Sequence, residues 1–236
     1  MLALAASPGL AGAEDAGAWS WTATPYVWTT GLSGSLRPFA GAPTLRVSQS
    51  IGDVIDDVDG AFSIAFDGER GRVVVLTDVS RVRTSRAGSL PNSLPATGRT
   101  RHTSLMLAAG WRVHEGADAR VDVFGGLRAF ELKAEVEVAG GALSVSPRRE
   151  FVDPILGARA AFALGERWSA RLYADAGGFG TGSKSVVLAE AALAYAPGER
   201  SRLTLGLRSL WIDYDRGGTR VDVRMTGPVL GAGWRF

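Results

Sequence analysis

The sequence predicts an all-β chain: a single closed antiparallel up-and-down transmembrane β-barrel of about ten strands, with eight or twelve left open. Three observations predict it. Apolar and polar residues alternate over short segments along almost the whole length, the period-two mark of strands with two unlike faces. The connections between segments alternate between short and long. The chain closes on Gly231-Ala232-Gly233-Trp234-Arg235-Phe236, an alternating segment with a terminal aromatic.

The segments follow in order. Trp21, Ala23, Pro25 and Val27 alternate with Thr22, Thr24, Tyr26 and Trp28. Phe62, Ile64 and Phe66 oppose Ser63, Ala65 and Asp67, and a turn at Glu69–Arg72 leads to Val73, Val75, Thr77 and Val79 against Val74, Leu76, Asp78 and Ser80. Leu105, Leu107, Ala109, Trp111 and Val113 form one face of a fourth strand, with Gly110, Arg112 and His114 on the other. A long strand from Arg120 to Val138 changes phase at Gly125-Gly126, as a bulge would. Leu156, Ala158, Ala160 and Phe162 then oppose Asp153, Gly157 and Arg159, and Trp168, Ala170, Leu172 and Ala174 oppose Ser169, Arg171, Tyr173 and Asp175. Val187 to Tyr195, Leu203 to Trp211 and a last strand ending Leu230, Ala232, Trp234, Phe236 complete the set. An even strand number puts both termini on one side.

Short links at Glu69–Arg72, Glu115–Asp118, Gly165–Arg167 and Pro197–Ser201 alternate with the longer Pro38–Gly60, Arg86–Thr103 and Gly140–Glu150 and with Asp215–Thr219. Short turns at one end and longer loops at the other is the pattern of bacterial outer-membrane barrels. Within the first long link, Thr44–Ser48 is short enough to pair beyond the membrane. Ile51, Val54, Ile55 and Val58 share one helical face, which predicts a short helix near Ser50–Val58 lying across a barrel mouth.

Composition bounds the rest. The 236 residues suit one large all-β domain. No run approaches the roughly 20 apolar residues of a membrane helix, whereas a membrane strand needs only about 9–11 with one apolar face. Cysteine is absent, which removes disulfides, thiolate metal sites and cysteine nucleophiles. Leu2-Ala3-Leu4-Ala5-Ala6 followed by Ala11-Gly12-Ala13 resembles the end of a secretory signal, so residues 1–13 are expected to be a signal peptide remnant and 14–236 the barrel. The net charge of +2 rests on arginine, since Lys133 and Lys184 are the only lysines. These arginines are interleaved with acids rather than gathered in a stripe, so no nucleic-acid partner is expected.

A soluble β-sandwich produces the same alternation. Trp19, Trp21, Trp111, Trp168, Tyr195, Trp211, Trp234 and Phe236 fall at strand ends, where membrane barrels carry interfacial aromatic girdles, and this favours the barrel.

Several segments in this order resemble the uncharacterised proteobacterial outer-membrane β-barrel proteins. They are Trp21-Thr-Ala-Thr-Pro25-Tyr26, Asp53-Val-Ile-Asp-Asp-Val58, Asp153-Pro-Ile-Leu-Gly-Ala-Arg159, Tyr173-Ala-Asp-Ala-Gly-Gly-Phe-Gly-Thr-Gly-Ser183, Asp213-Tyr-Asp215, Gly227-Pro228 and Trp234-Arg235-Phe236. The resemblance runs from residue 21 to the end. It implies a bacterial outer-membrane location and an assembly signal at Trp234 and Phe236 of the kind read by the barrel-assembly machinery. It implies no settled activity. Arg216 stands where such proteins look more acidic, so their loop chemistry is not carried over.

Two sets of residues are candidates for function. Asp67, Asp78, Asp153, Asp175 and Glu190 fall on the inward face with Arg112, Arg159, Arg171 and Arg208. Charges in a small barrel need partners to offset desolvation, so this set reads as a salt-bridged network in a largely closed lumen. The alternative is a charged lining that selects solutes in a narrow channel. Arg83, Arg86, Arg99 and Arg101 lie in or beside a connection without acids, and arginine forks suit phosphate, so contact with outer-membrane lipid and lipopolysaccharide is expected there. His102 and Ser104 would form a base and nucleophile pair resembling that of lipid A deacylases, but Leu105 and Leu107 put them on the side away from lipid. The expectation is therefore a non-enzymatic envelope protein without cofactor or metal, with a channel or a lipid A hydrolase as alternatives.

Overall fold

The computed structural model describes residues 17–37, 40–41, 44–53, 58–89, 95–138, 143–145 and 148–236. These form thirteen strands. In chain order they are β1 (Ser20–Trp28), β2 (Gly31–Arg37), β3 (Leu45–Gln49), β4 (Val58–Arg70), β5 (Val73–Ser89), β6 (Pro95–Glu115) and β7 (Ala119–Val138). Then come β8 (Leu143–Val145), β9 (Arg148–Ala163), β10 (Trp168–Gly178), β11 (Ser185–Tyr195), β12 (Ser201–Arg216) and β13 (Thr219–Arg235). The expected signal remnant lies outside the described residues.

Neighbouring strands pair in sequence from β4 to β7 and from β9 to β13, β7 pairs β9, and β1 bridges β4 and β13 to close the ring. β1 and β2 are two parts of one wall strand, because both pair β13 in a single unbroken register. Pro228 separates them: Thr29 N donates to Pro228 O at 3.1 Å, but proline has no N–H to return the bond. The wall is thus a closed antiparallel barrel of ten strands, with β3 and β8 added outside the ring on β2 and β7. The expected pairing of the Thr44–Ser48 segment is realised in β3.

Both chain ends meet on one side, where Trp21 and Phe236 exchange backbone hydrogen bonds of 3.0 and 2.9 Å. The short turns share this side, so it is the periplasmic one. On the other side the strands are longer than their alternation suggested. Much of the expected Arg86–Thr103 loop is a tall hairpin, since β5 continues to Ser89 and β6 begins at Pro95. The expected helix is also shorter. Residues 51–53 are helical, Ser50 and Asp53 cap each other in a Ser-x-x-Asp box at 2.8–3.2 Å, and Val58 already opens β4. Val54 to Asp57 lie outside the described residues.

The expected phase change at Gly125-Gly126 does not occur. β7 keeps one register with β9 throughout, and the irregularity in its pairing with β6 falls between Arg112 and His114. The glycine has another cause: a Cβ on Gly126 would lie 2.1 Å from Leu107 O, so the two strands approach too closely for any side chain. Even-numbered residues of β7 from Asp122 to Leu132 therefore face the lumen, Asp122 and Arg128 among them.

Every wall strand presents an apolar outer face. On β6, Leu105, Leu107, Ala109, Trp111 and Val113 point outward, and Leu107, Leu156, Leu205 and Leu230 are 53–65% exposed. Soluble proteins do not leave such a continuous apolar surface to water. From Leu105 to Val113, nine residues at about 3.3 Å each and a tilt of about 40° give a belt roughly 23 Å high, close to the apolar band of an outer-membrane barrel. The rim aromatics are unevenly shared. Trp19, Trp21, Trp111, Trp168, Tyr195, Trp234 and Phe236 ring the periplasmic end, and Trp211 lies at the opposite edge of the belt with Arg224 over its ring at 5.0 Å.

Candidate functional site

The register of the wall strands builds the lumen. Arg112, Asp122, Arg159, Tyr173, Glu190 and Arg208 are successive cross-strand neighbours from β6 to β12. Opposite charges thus fall side by side around the interior, where neighbouring residues contribute most to a sheet. At the periplasmic end Arg159 bonds Asp122 at 2.8 Å, Glu69 at 3.3 Å and Asp67. Arg112 shares Asp122 at 2.9 Å, reaches Glu69 at 2.9 Å and lies 3.5 Å from Glu115.

The next level holds two separate clusters. Arg128 makes a two-pronged bond to Asp175 at 2.6 and 2.7 Å, and Tyr173 donates to the same carboxylate at 2.7 Å. Arg208 bonds Glu190 at 2.7 Å and the Tyr26 hydroxyl at 2.9 Å, and stacks over the Tyr26 ring. Tyr26 in turn donates to Asp78 at 2.9 Å.

Above these charges the lumen becomes apolar. Phe130, Phe151, Val186, Leu210, Ile212, Tyr214 and Val221 form a buried cluster inside the extracellular half, against which Trp28, Leu132 and Leu188 pack. Phe151 joins Phe130 and Tyr214 through ring contacts of 5.0 Å on either side. A second apolar group, Leu76, Met106, Ala108, Phe124 and Ile155, fills the β5–β9 wall beside Tyr173. A cavity of about 220 Å³ runs from below this plug through the charged level to the periplasmic end, and Tyr26, Asp78, His102, Arg159, Arg171 and Arg202 are among its lining.

Of the residues expected inside, Asp67, Asp78, Asp175, Glu190, Arg112, Arg159 and Arg208 come together in these clusters. Asp153 does not join them. It faces inward and is fully buried, but its oxygens accept from Gly182 N at 3.1 Å, Ser183 N at 2.7 Å and Ser183 Oγ at 2.7 Å, so it clamps the β10–β11 turn. Arg171 lines the cavity without an acid partner among the described residues. Asp122 and Arg128 were missed because the expected phase change left the two faces of β7 unassigned. Tyr26 and Tyr173 were missed because alternation does not reveal which aromatic carries a hydrogen bond. His102 and Ser104 line the lumen, where His102 stacks on Phe130 at 5.9 Å.

A second constellation lies outside the barrel, just beyond the apolar belt. Arg83, Arg101, Lys133 and Arg148 are direct cross-strand neighbours on β5, β6, β7 and β9. Adjacent like charges destabilise a sheet unless something neutralises them. Glu131 does so for Lys133 and Arg148, at 3.0 Å from each, and Arg148 also meets Glu150. The Lys133 hydrogen bond and the charges of Arg148 and Arg101 hold the Glu131 carboxyl below its usual range. Arg83 and Arg101 have no acid partner among the described residues, and Arg101 Nε is buried without a hydrogen bond. Arg99 is paired with Glu137 at 3.1 Å. Arg86 occupies the register position opposite Gly98, and its side chain lies outside the described residues. Among the described residues no group of three or more histidines, cysteines and acids is arranged to hold a metal ion.

No family model matches the chain, and no curated protein matches it. Solved structures do. The outer-membrane protease OmpT of Escherichia coli aligns over 92% of this chain and 97% of its own, at 8% identity and a TM-score of 0.58. The transport unit of the autotransporter AIDA-I from Escherichia coli aligns over 96% and 93% at 8% identity and a TM-score of 0.47. Ail of Yersinia pestis, solved in complex with the heparin analogue sucrose octasulfate, aligns over 92% and 98% at 14% identity and a TM-score of 0.41. The likeness to OmpT is one of fold. Joined to a closed ring and a continuous apolar belt, it decides the location. The chain is an integral bacterial outer-membrane β-barrel.

The Arg128–Asp175 pair is the most enclosed ion pair among the described residues, with side chains 6% and 0% exposed. Arg128→Ala should cost about 3–5 kcal/mol, because it strands a buried carboxylate. Arg128→Ala with Asp175→Ala should recover a large part of that loss. Urea unfolding in phospholipid vesicles measures both, and additive losses would show that the two side chains are not coupled.

Proposed function

We propose that this barrel is a non-enzymatic envelope protein with a largely closed lumen, whose outer collar contacts lipopolysaccharide. The single observation that carries the reading is the row Arg83, Arg101, Lys133 and Arg148. Arg83 and Arg101 lie only four residues beyond Val79 and Leu105, the outward apolar positions that end the belt on their strands. At about 3.3 Å per residue and a tilt of about 40°, that is roughly 10 Å past the belt, at headgroup depth. Phosphate is the anion a guanidinium fork matches best, and the outer leaflet is built from phosphorylated lipid.

The apolar plug and the paired lumen charges support a brace rather than a conduit. A non-enzymatic role is supported by the inward position of His102 and Ser104, away from any lipid substrate. Trp234 and Phe236, exposed at the periplasmic rim, suit a role as the signal for barrel assembly.

Two measurements test the proposal. Changing Arg83, Arg101 and Lys133 together to glutamine should weaken lipopolysaccharide binding by tenfold or more, on the order of one lost charge-assisted contact or greater. Unchanged binding rejects the contact. In planar bilayers the refolded protein should show negligible steady conductance, and sustained openings would favour the narrow channel instead.

A further inference from the structure

The periplasmic half of the lumen contains more cationic groups than its carboxylates engage. Asp67, Glu69, Glu115 and Asp122 are shared among Arg112, Arg120 and Arg159. Arg171 on β10 and Arg202 on β12 line the same cavity, and neither has an ion-pair partner among the described residues. By register Arg171 is level with Ala192 and Gly206, Arg202 lies four residues nearer the rim on β12, and the row Ser169, Ala194 and Thr204 falls between them. Among the charged neighbours of Arg202, Arg171 acts on it most strongly, ahead of Asp67, Glu69 and Arg120. Two like charges facing one cavity repel, and a bound anion relieves that repulsion.

The rest of the lining suits an oxyanion. Thr22, Ser169 and Thr204 bring hydroxyl donors to the same part of the cavity. Its volume of about 220 Å³ far exceeds the roughly 10–15 Å³ that holds one water. Arg202 is solvent-exposed, so the site is reached from the periplasmic mouth. Phe130, Phe151 and Leu210 block the path to the exterior, so an anion that enters is held and does not cross.

We propose that Arg171 and Arg202 form a binding site for a small phosphate-type oxyanion in the periplasmic half of the lumen. Each guanidinium offers a two-pronged donor, and a doubly charged tetrahedral anion has the charge and the acceptor oxygens to meet both forks. A singly charged carboxylate matches one of them. This site is separate from the outer collar and stands whether or not the collar binds lipid.

Inorganic phosphate titrated calorimetrically into the full refolded chain, in micelles free of lipopolysaccharide, tests the site. Saturable binding is expected, with chloride giving none. Arg202→Gln should weaken it about tenfold or more, and Arg171→Gln with Arg202→Gln should weaken it further. Arg202 is exposed, so its single variant should keep the fold, and heat-dependent gel mobility verifies the closed barrel in every sample. Arg83→Gln with Arg101→Gln should leave phosphate binding unchanged. Absence of saturable binding by the folded protein, or undiminished binding in the Arg202→Gln and double variants, overturns the proposal. So does a loss confined to the Arg83 and Arg101 variant, which would put the phosphate on the collar.

Discussion

Backbone N–H and C=O groups have no water to bond in the hydrocarbon of a membrane, and each one left unpaired costs several kcal/mol. Every other feature of this chain depends on meeting that demand. The closing contact is the ladder between β1 and β13, which brings Thr22 opposite Arg235 and Trp28 opposite Val229 and removes the last free edges. It also fixes which residues can face lipid. Once the ring is closed, each strand has one side toward acyl chains and one toward an interior only a few side chains wide.

That interior answers a second demand, because charges there have little water. The cross-strand row from Arg112 to Arg208 meets it by register: Asp122 falls between Arg112 and Arg159, and Glu190 beside Arg208, without a long reach. Higher up, the protein fills the lumen with rings and aliphatic groups centred on Phe130 and Phe151. The barrel is therefore polar below and apolar above, and its cavity runs through the polar half toward the periplasm. Outside, the same strands carry their acidic and basic residues past the belt, where β5, β6 and β7 rise well above the short β10 and β11. The collar and the lumen are thus two products of one alternation read at different heights.

Alternation in the sequence revealed the ring and its outward face, since a lipid-facing strand must be apolar at every second position. Leu203, Leu205 and Leu207 needed no structure to be placed. Other features depended on contacts that alternation does not encode. Gly126 looked like a bulge because glycine in a strand has two uses, and close approach to Leu107 was the one in force. With the phase in question, the faces of β7 were left unassigned, and Asp122 and Arg128 went unnamed. Asp153 has the right parity for the charge network, yet its partners are the backbone of a turn about thirty residues ahead. The row of Arg83, Arg101, Lys133 and Arg148 was legible only in part, because cross-strand neighbours come from register and the hairpin above Ser80 looked like a loop.

The central claim is that odd positions of β6 meet lipid and even ones face an enclosed interior. Because the chain has no cysteine, single cysteines can be placed at Leu105, Leu107 and Ala109 and, separately, at Ser104 and Ala108. Each carries a small fluorescent label in vesicles, and brominated lipids quench only labels that touch acyl chains. The barrel described here predicts strong quenching at the three odd positions and little at the two even ones. Quenching that ignores this alternation, or reverses it, would contradict the account.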